Sequence, residues 1–256
     1  MIGKPSPGNV PAPTTPFVLA EGSVLEVAGR DAGAFLQAQC MNDVAALADG
    51  HWQWNGCLSA KGRLLALFAL LRIDGTRFLL FLPDVPASVL ATHLRRYQFR
   101  ARVEFHCRDE LVPHGVLGAA ATQWTQRGEG ARAGTAPDTG TIALDVGAAQ
   151  PRQLLLRTRN DAQGVADAEA DTRVAASAQS QWRLADLAHG LPRLAPEQHD
   201  QYTPQMLSLE RLGAFSLSKG CYPGQEIVAR THYLGQSKRQ LQLLHVGGPV
   251  EAGAEL

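Results

Sequence analysis

The stretch Lys219-Gly220-Cys221-Tyr222-Pro223-Gly224-Gln225-Glu226 puts one thiol between two glycines, with a cation before it and a Pro-Gly pair after it. Cysteine does its chemistry as the thiolate, the form that a nearby positive charge favours. Lys219 and Arg230 are the cations at hand. Tyr222-Pro223-Gly224-Gln225 predicts a type II turn, since proline presets φ near −65° and glycine accepts the positive φ that follows. Gly220 allows close backbone approach on the other side. Cys221 is therefore expected on a bend, not on a helix face. The alternative is a small buried hydrophobe in a structural turn, the common condition of a free cysteine. A turn explains Pro223 and Gly224 but not the polar company of Lys219, Gln225, Glu226 and Arg230, and that favours the chemical reading. Glu226 also has a plain structural use, because a carboxylate suits the first turn of a helix beginning after Gly224.

Read with the following Ile227-Val228-Ala229-Arg230, the octapeptide resembles the signature of the YgfZ family of folate-binding proteins. Gln37-Ala38-Gln39-Cys40-Met41-Asn42-Asp43-Val44, Gly190-Leu191-Pro192 and Pro204-Gln205 resemble further elements of that family. The resemblance runs from Phe17 to Leu256, dense at both ends and thin in the middle. It implies an α+β fold like that of the glycine cleavage T-protein, an aminomethyltransferase, with ferredoxin-like split βαβ modules and a C-terminal β-barrel that is truncated or reduced here. It further implies tetrahydrofolate as cofactor, Cys221 as the functional group, and folate contacts from Lys219, Gln225, Glu226, Arg230, Asn42 and Asp43. Iron–sulfur assembly or client proteins are the implied partners, with a link to tRNA modification. Asn42 and Asp43 have a competing role as turn caps, and Lys61 and Arg63 join Arg230 as candidates for the carboxylates of a folate tail.

The chain's 256 residues are 45% hydrophobic, enough for a substantial core in one large or two smaller domains. Lys plus Arg equals Asp plus Glu at 24 each, so there is no global charge footprint for nucleic acid, although a local basic patch is compatible with that balance. Cys40, Cys57, Cys107 and Cys221 form no C-x-x-C pair, against a zinc site or a self-contained cluster and against a disulfide framework. His189, His199 and His232 show no ligand spacing. No secretory h-region or membrane-length apolar run appears, so the expected location is the cytoplasm.

Positioning the motif requires the following elements. Residues 1–16 read as a disordered tail, 17–110 as a first folate-binding subdomain, 111–236 as a second α+β subdomain holding the motif, and 237–256 as the start of the barrel. Phe17–Leu19 and Val24–Val27 are expected strands, and Asp31 is a candidate N-cap for a helix through Gln39. Runs at 52–58, 63–72 and 77–82, divided by Ser59-Ala60-Lys61-Gly62 and Asp74-Gly75, predict three antiparallel neighbours. Trp52 and Trp54 share one face of that sheet, as core or as an aromatic wall for a pterin. Ala87–Tyr97 has helical spacing with Val89, Leu90, Leu94 and Tyr97 on one side. Strands are predicted at 101–105, 141–144, 153–157 and 238–246, with helix within 161–180 and across 181–188, ended by Gly190. Phe215–Ser218 alternates like a half-buried strand leading into the motif.

One absence shapes the mechanism. Aminomethyltransferases of the implied fold carry an aspartate on the strand after the glycine turn, and Leu64–Leu71 offers no carboxylate. A folate-binding accessory protein for iron–sulfur assembly is the preferred reading. A one-carbon transferase or demethylase, with Asp43 as its nearest carboxylate, and a rigid scaffold stay open beside it.

Overall fold

The computed structural model describes residues 15–118, 134–135, 141–147, 151–159, 172–235, 237–244 and 246–251. Residues 1–14 of the expected tail and 161–171 of the expected helix lie outside these. Among these residues, two five-stranded sheets, antiparallel at every pairing, make the frame.

The first sheet contains β2 (Ser23–Ala28), β3 (Trp52–Leu58), β4 (Leu64–Asp74), β5 (Arg77–Leu82) and β6 (Glu104–Cys107). Its order is β3-β4-β5-β2-β6. Helix α1 (Ala32–Gln39) carries the chain from β2 to the far edge at β3, and α2 (Ala87–Arg95) crosses from β5 over β2 to β6. Both crossings are thus split by intervening strands. Each strand's period of two divides its apolar residues between two cores. Ala66, Phe68, Leu70, Phe78, Leu80 and Leu82 face the helices and meet Phe35, Leu36, Leu90 and Leu94. Leu67, Ala69, Leu71, Leu79 and Phe81 face the other way, with Trp52 and Trp54. The two indoles pack edge to face at 5.7 Å, as core residues.

The second sheet holds β1 (Phe17–Val18), β7 (Leu111–Leu117), β8 (Gly134–Thr135), β9 (Ile142–Asp145) and β10 (Arg152–Thr158), in the order β1-β7-β10-β9-β8. Leu117, Leu144, Leu154 and Leu156 join Trp52 and Trp54 in one continuous core. Helix α3 (Thr172–His189) sets Trp182 edge-on to Phe17 at 6.1 Å, above Gly115, where a Cβ would stand 2.7 Å from the indole. Gly190, at φ 78°, ends α3 as expected, with the Leu191 N–H returning to Asp186 O at 2.9 Å.

Four local expectations need correction. Asp31 does not cap α1 through its side chain; its carboxylate accepts the Arg102 N–H at 2.9 Å and ties down the loop before β6. Val89 is exposed, since α2 turns Ala87, Leu90, Ala91 and Leu94 inward. The alternating runs Phe215–Ser218 and Lys238–Val246 hold no strand among their described residues. Alternation makes a strand only beside an open edge, and neither run has a pairing partner among the described residues. Leu241 N–H instead reaches Ser208 Oγ at 3.2 Å. Among the described residues no helix is long and apolar enough to cross a membrane.

Candidate functional site

The Pro-Gly pair forms the turn its types demand. Gly224 sits at φ 79°, ψ 0°, and the Gln225 N–H donates to Tyr222 O at 3.2 Å. This turn interlocks with the Ser59–Gly62 turn between β3 and β4. A Cβ on Gly224 would stand 2.5 Å from Ser59 O and 2.6 Å from Gly62 Cα. A Cβ on Gly62, at φ 71°, would stand 2.6 Å from Ile227 Cβ. Each glycine is therefore required twice, by its own φ and by its neighbour's approach. Helix α4 (Gln225–Tyr233) starts from the turn and is anchored by the fully buried Val228.

Lys219 is buried, and its ammonium is not directed at Cys221. It donates to the carbonyls of Gln37, Cys40 and Asn42, at 2.6 Å for Cys40 and 3.3 Å for Asn42, and lies 4.9 Å from the Tyr222 ring centre. Burial holds its pKa below the ordinary lysine value despite the charges around it. Burial likewise pushes the Tyr222 phenol up to about 12. The lysine thus clamps the start of the motif onto the loop after α1.

Cys221 is exposed on the bend, and the space around Gly220 is open for 4 Å. Cys107 is exposed too, whereas Cys40 and Cys57 face each other, fully buried, across an isolated antiparallel bridge. Their mutual thiol hydrogen bond, then burial, holds Cys57 well above the ordinary thiol value. That leaves Cys221 as the open sulfur of the motif.

The sequence candidates divide into two groups. Asn42, Asp43, Lys219 and Gln225 meet in one cluster. Asn42 Nδ2 donates to Trp54 O at 2.9 Å and Gly213 O at 2.7 Å, and its N–H donates to Asn55 Oδ1 at 2.9 Å. Asp43 Oδ1 accepts Gln37 Nε2 at 3.0 Å and the N–H groups of Ala45 and Ala46 at 3.1 Å. Gln225 Nε2 donates to Lys219 O at 3.3 Å. Glu226 and Arg230 form the second group, exposed on α4.

Two features escaped the sequence reading. Arg193, next in the chain after Gly190-Leu191-Pro192, is a hub that donates to Asp84 at 2.5 Å, Asp186 at 3.0 Å and Glu21 at 3.1 Å. Asp186 also pairs with the buried Arg152. Burial outweighs the Arg193 guanidinium at Asp84 and keeps its carboxyl above the ordinary value. Beside the hub opens a groove of about 830 Å³ lined by Leu187, Leu194, Tyr202, Met206, Lys238 and Arg239, among others. Only the sequence separation of its two walls hid it. Among the described residues no three His, Cys, Asp or Glu side chains converge on a metal position.

No family model matches the sequence. A tRNA-modifying protein YgfZ from Edwardsiella ictaluri is 31% identical over 238 residues, covering 90% of this chain and 70% of the relative. One from Klebsiella pneumoniae is 30% identical over 246 residues, covering 91% and 72%. An uncharacterized protein from Haemophilus influenzae is 30% identical over 242 residues, covering 93% and 76%. Among solved structures, the glycine cleavage system aminomethyltransferase T from Bartonella henselae superposes with a TM-score of 0.68 at 18% identity. That match covers 86% of this chain but 63% of the enzyme's length, and it shows the aminomethyltransferase fold that the motif implied. With fold, turn and relatives in agreement, the chain belongs to the YgfZ family.

Proposed function

We propose that this chain is a tetrahydrofolate-binding accessory protein for iron–sulfur cluster assembly or repair serving tRNA modification, with Cys221 as its functional thiolate. The observation that carries the proposal is an exposed thiol on a bend that two mutually required glycines and a buried lysine hold in one shape. A merely structural turn would not need its sulfur in water. The relatives' name supplies the tRNA connection.

The groove suits a folate in size and lining. Its volume lies within the range of small-molecule sites, and Tyr202, Met206 and Leu194 offer apolar faces for a ring system. Lys238 and Arg239 would pair with the carboxylates of the glutamate tail, and Arg230 is a further candidate from α4. A bound reduced folate supplies one-carbon units at its ring nitrogens. The protein's part is to bind and orient it. The carboxylate that aminomethyl transfer would use on β4 is absent. Leu64–Leu71 carries no carboxylate, Asp74 is bonded to Thr76 at 2.7 Å in the far turn, and Asp43 Oδ1 already accepts three donors. These facts favour the accessory role over a transferase.

Calorimetric titration with tetrahydrofolate should give saturable binding that Lys238→Glu with Arg239→Glu weakens. Cys221→Ala should keep fold and folate affinity yet fail to restore iron–sulfur-dependent tRNA modification in cells lacking the protein. No saturable binding would end the ligand claim, and full restoration by Cys221→Ala would end the thiolate claim.

A further inference from the structure

We propose that the end of the first sheet farthest from Cys221 is a docking surface for single-stranded RNA, a choice of polyanion that rests on the tRNA-directed reading above. β4 starts beside the motif turn and ends ten residues later at Asp74, roughly 33 Å away at about 3.3 Å per residue. Around that far end three loops meet. Gly29 packs so closely on the loop before β6 that a Cβ there would stand 2.3 Å from Arg102 O. The Gly29 N–H donates to Thr76 O at 2.9 Å, joining the β4–β5 turn. Arg30, Arg77, Arg95, Arg96, Arg100 and Arg102 are gathered there, and no acid occurs between His93 and Val103.

The acids nearby are already engaged. Asp31 accepts from Arg30 at 3.2 Å and from the Arg102 N–H, Asp74 accepts from Thr76, and Glu104 faces His106 at 3.1 Å. Arg95 reaches Phe105 O at 3.1 Å, and Arg77 is near Asp74 at 3.5 Å. Arg96, Arg100 and Arg102 are exposed, and no ion pair engages them among the described residues. A neutral chain therefore carries a local cationic pole.

Between Arg96 and Arg100 in the chain stands Phe99, 91% exposed and at φ 35°. A bulky aromatic at positive φ is a backbone outlier, and such strain gathers at functional positions. The strain here displays a bare ring among guanidinium groups, the pairing that stacks a base while holding its phosphates. A membrane surface is the weaker fit, because interfacial anchoring needs a broad apolar face and this pole offers a single ring. The location also leaves the groove and Cys221 free, so RNA and folate would not compete.

Fluorescence anisotropy with a labelled, unstructured RNA of about 20 nucleotides, longer than the site of a single module, tests this. Wild type should bind saturably, with affinity falling steeply as salt rises. Arg96→Glu, Arg100→Glu and Arg102→Glu together should abolish binding. Phe99→Gly removes the ring while relieving the backbone, and should weaken binding roughly fivefold to a hundredfold with no loss of melting temperature. Absent binding at low salt, binding indifferent to these variants, or binding to phosphatidylglycerol vesicles without binding to RNA would each overturn the proposal. Tetrahydrofolate titration of the same proteins separates the two readings. Folate binding without RNA binding sinks only the docking surface, and the reverse sinks only the ligand half of the function.

Discussion

The two ends of β4 treat positive charge and positive φ in opposite ways. At the motif end two left-handed glycines, Gly62 and Gly224, are locked against each other, and the cation Lys219 is turned inward onto three carbonyls. At the far end a phenylalanine in water takes a positive φ, and three arginines extend into solvent. The first arrangement uses charge and glycine to fix a shape. The second tolerates strain and leaves charge unneutralised, which serves nothing inside the fold. Rigidity at one end and availability at the other are what a protein needs to present a thiol in one place and grip a partner in another.

The largest expected effect breaks the rigid end. Gly224→Ala forces a side chain into the left-handed region and drives a Cβ against the Ser59 carbonyl. A loss of about 3 kcal/mol is expected from strain and displacement together, read as a lower urea midpoint at unchanged slope. An unshifted midpoint would mean the two turns are not interlocked. Next comes Lys219→Met, which keeps the stem but removes the ammonium from the carbonyls of Gln37, Cys40 and Asn42. Leaving those acceptors unpaired should cost about 2 kcal/mol, and Asn42 and Asp43 amides should lose exchange protection.

How far the sequence foretold this contrast differs between the ends. The type II turn at Tyr222–Gln225 and the β3–β4–β5 meander were legible because proline, glycine and alternation act locally. The clamp was not. A lysine two residues from a cysteine reads as an electrostatic activator, and only the fold brings the loop after α1 within reach of its ammonium. The pattern at Asn42 and Asp43 does not tell a ligand contact from a turn cap, and the structure engages their polar atoms with backbone groups. Lys238–Val246 alternates like a strand and is none, because alternation says which residues can face a core, not whether a neighbouring edge exists. The arginine pole was invisible in a composition with no net charge, since segregation is a property of space.

A third prediction concerns pH at the rigid end. The Tyr222 phenol is raised from 10.0 to about 12 in the folded protein. Below pH 10 the phenol is neutral folded or unfolded, and its contribution is fully present. As pH climbs from 10 toward 12 the unfolded chain ionises first, and up to roughly 2 kcal/mol of stability is lost. Lys219 acts in the opposite sense but earlier, because its lowered folded-state pKa means that the buried charge is relieved as pH rises toward the ordinary lysine value of 10.5, beyond which it adds no slope. Tyr222→Phe should therefore flatten the alkaline fall in stability between pH 10 and 12, and remove the late phase from a phenolate absorbance titration. A titration unchanged by the substitution would place Tyr222 in water.

The smallest effect sharpens the comparison most. Phe99→Gly at the far end is the inverse of Gly224→Ala: the same region of φ, with glycine arriving instead of leaving. Relieving a left-handed residue gains about 1–2 kcal/mol, and the added freedom of glycine in the unfolded chain takes back about 0.5–1 kcal/mol. The ring is 91% exposed, so little packing is lost. The variant should be more stable than wild type by up to about 1.5 kcal/mol, seen as a small rise in melting temperature. A fall of that size would mean that Phe99 packs on the protein in solution, and its exposure could then no longer be assigned to a partner. A rise accompanied by weaker RNA binding would show that the molecule holds this ring in place at a cost to its own stability, the opposite of what its glycines do at the thiol.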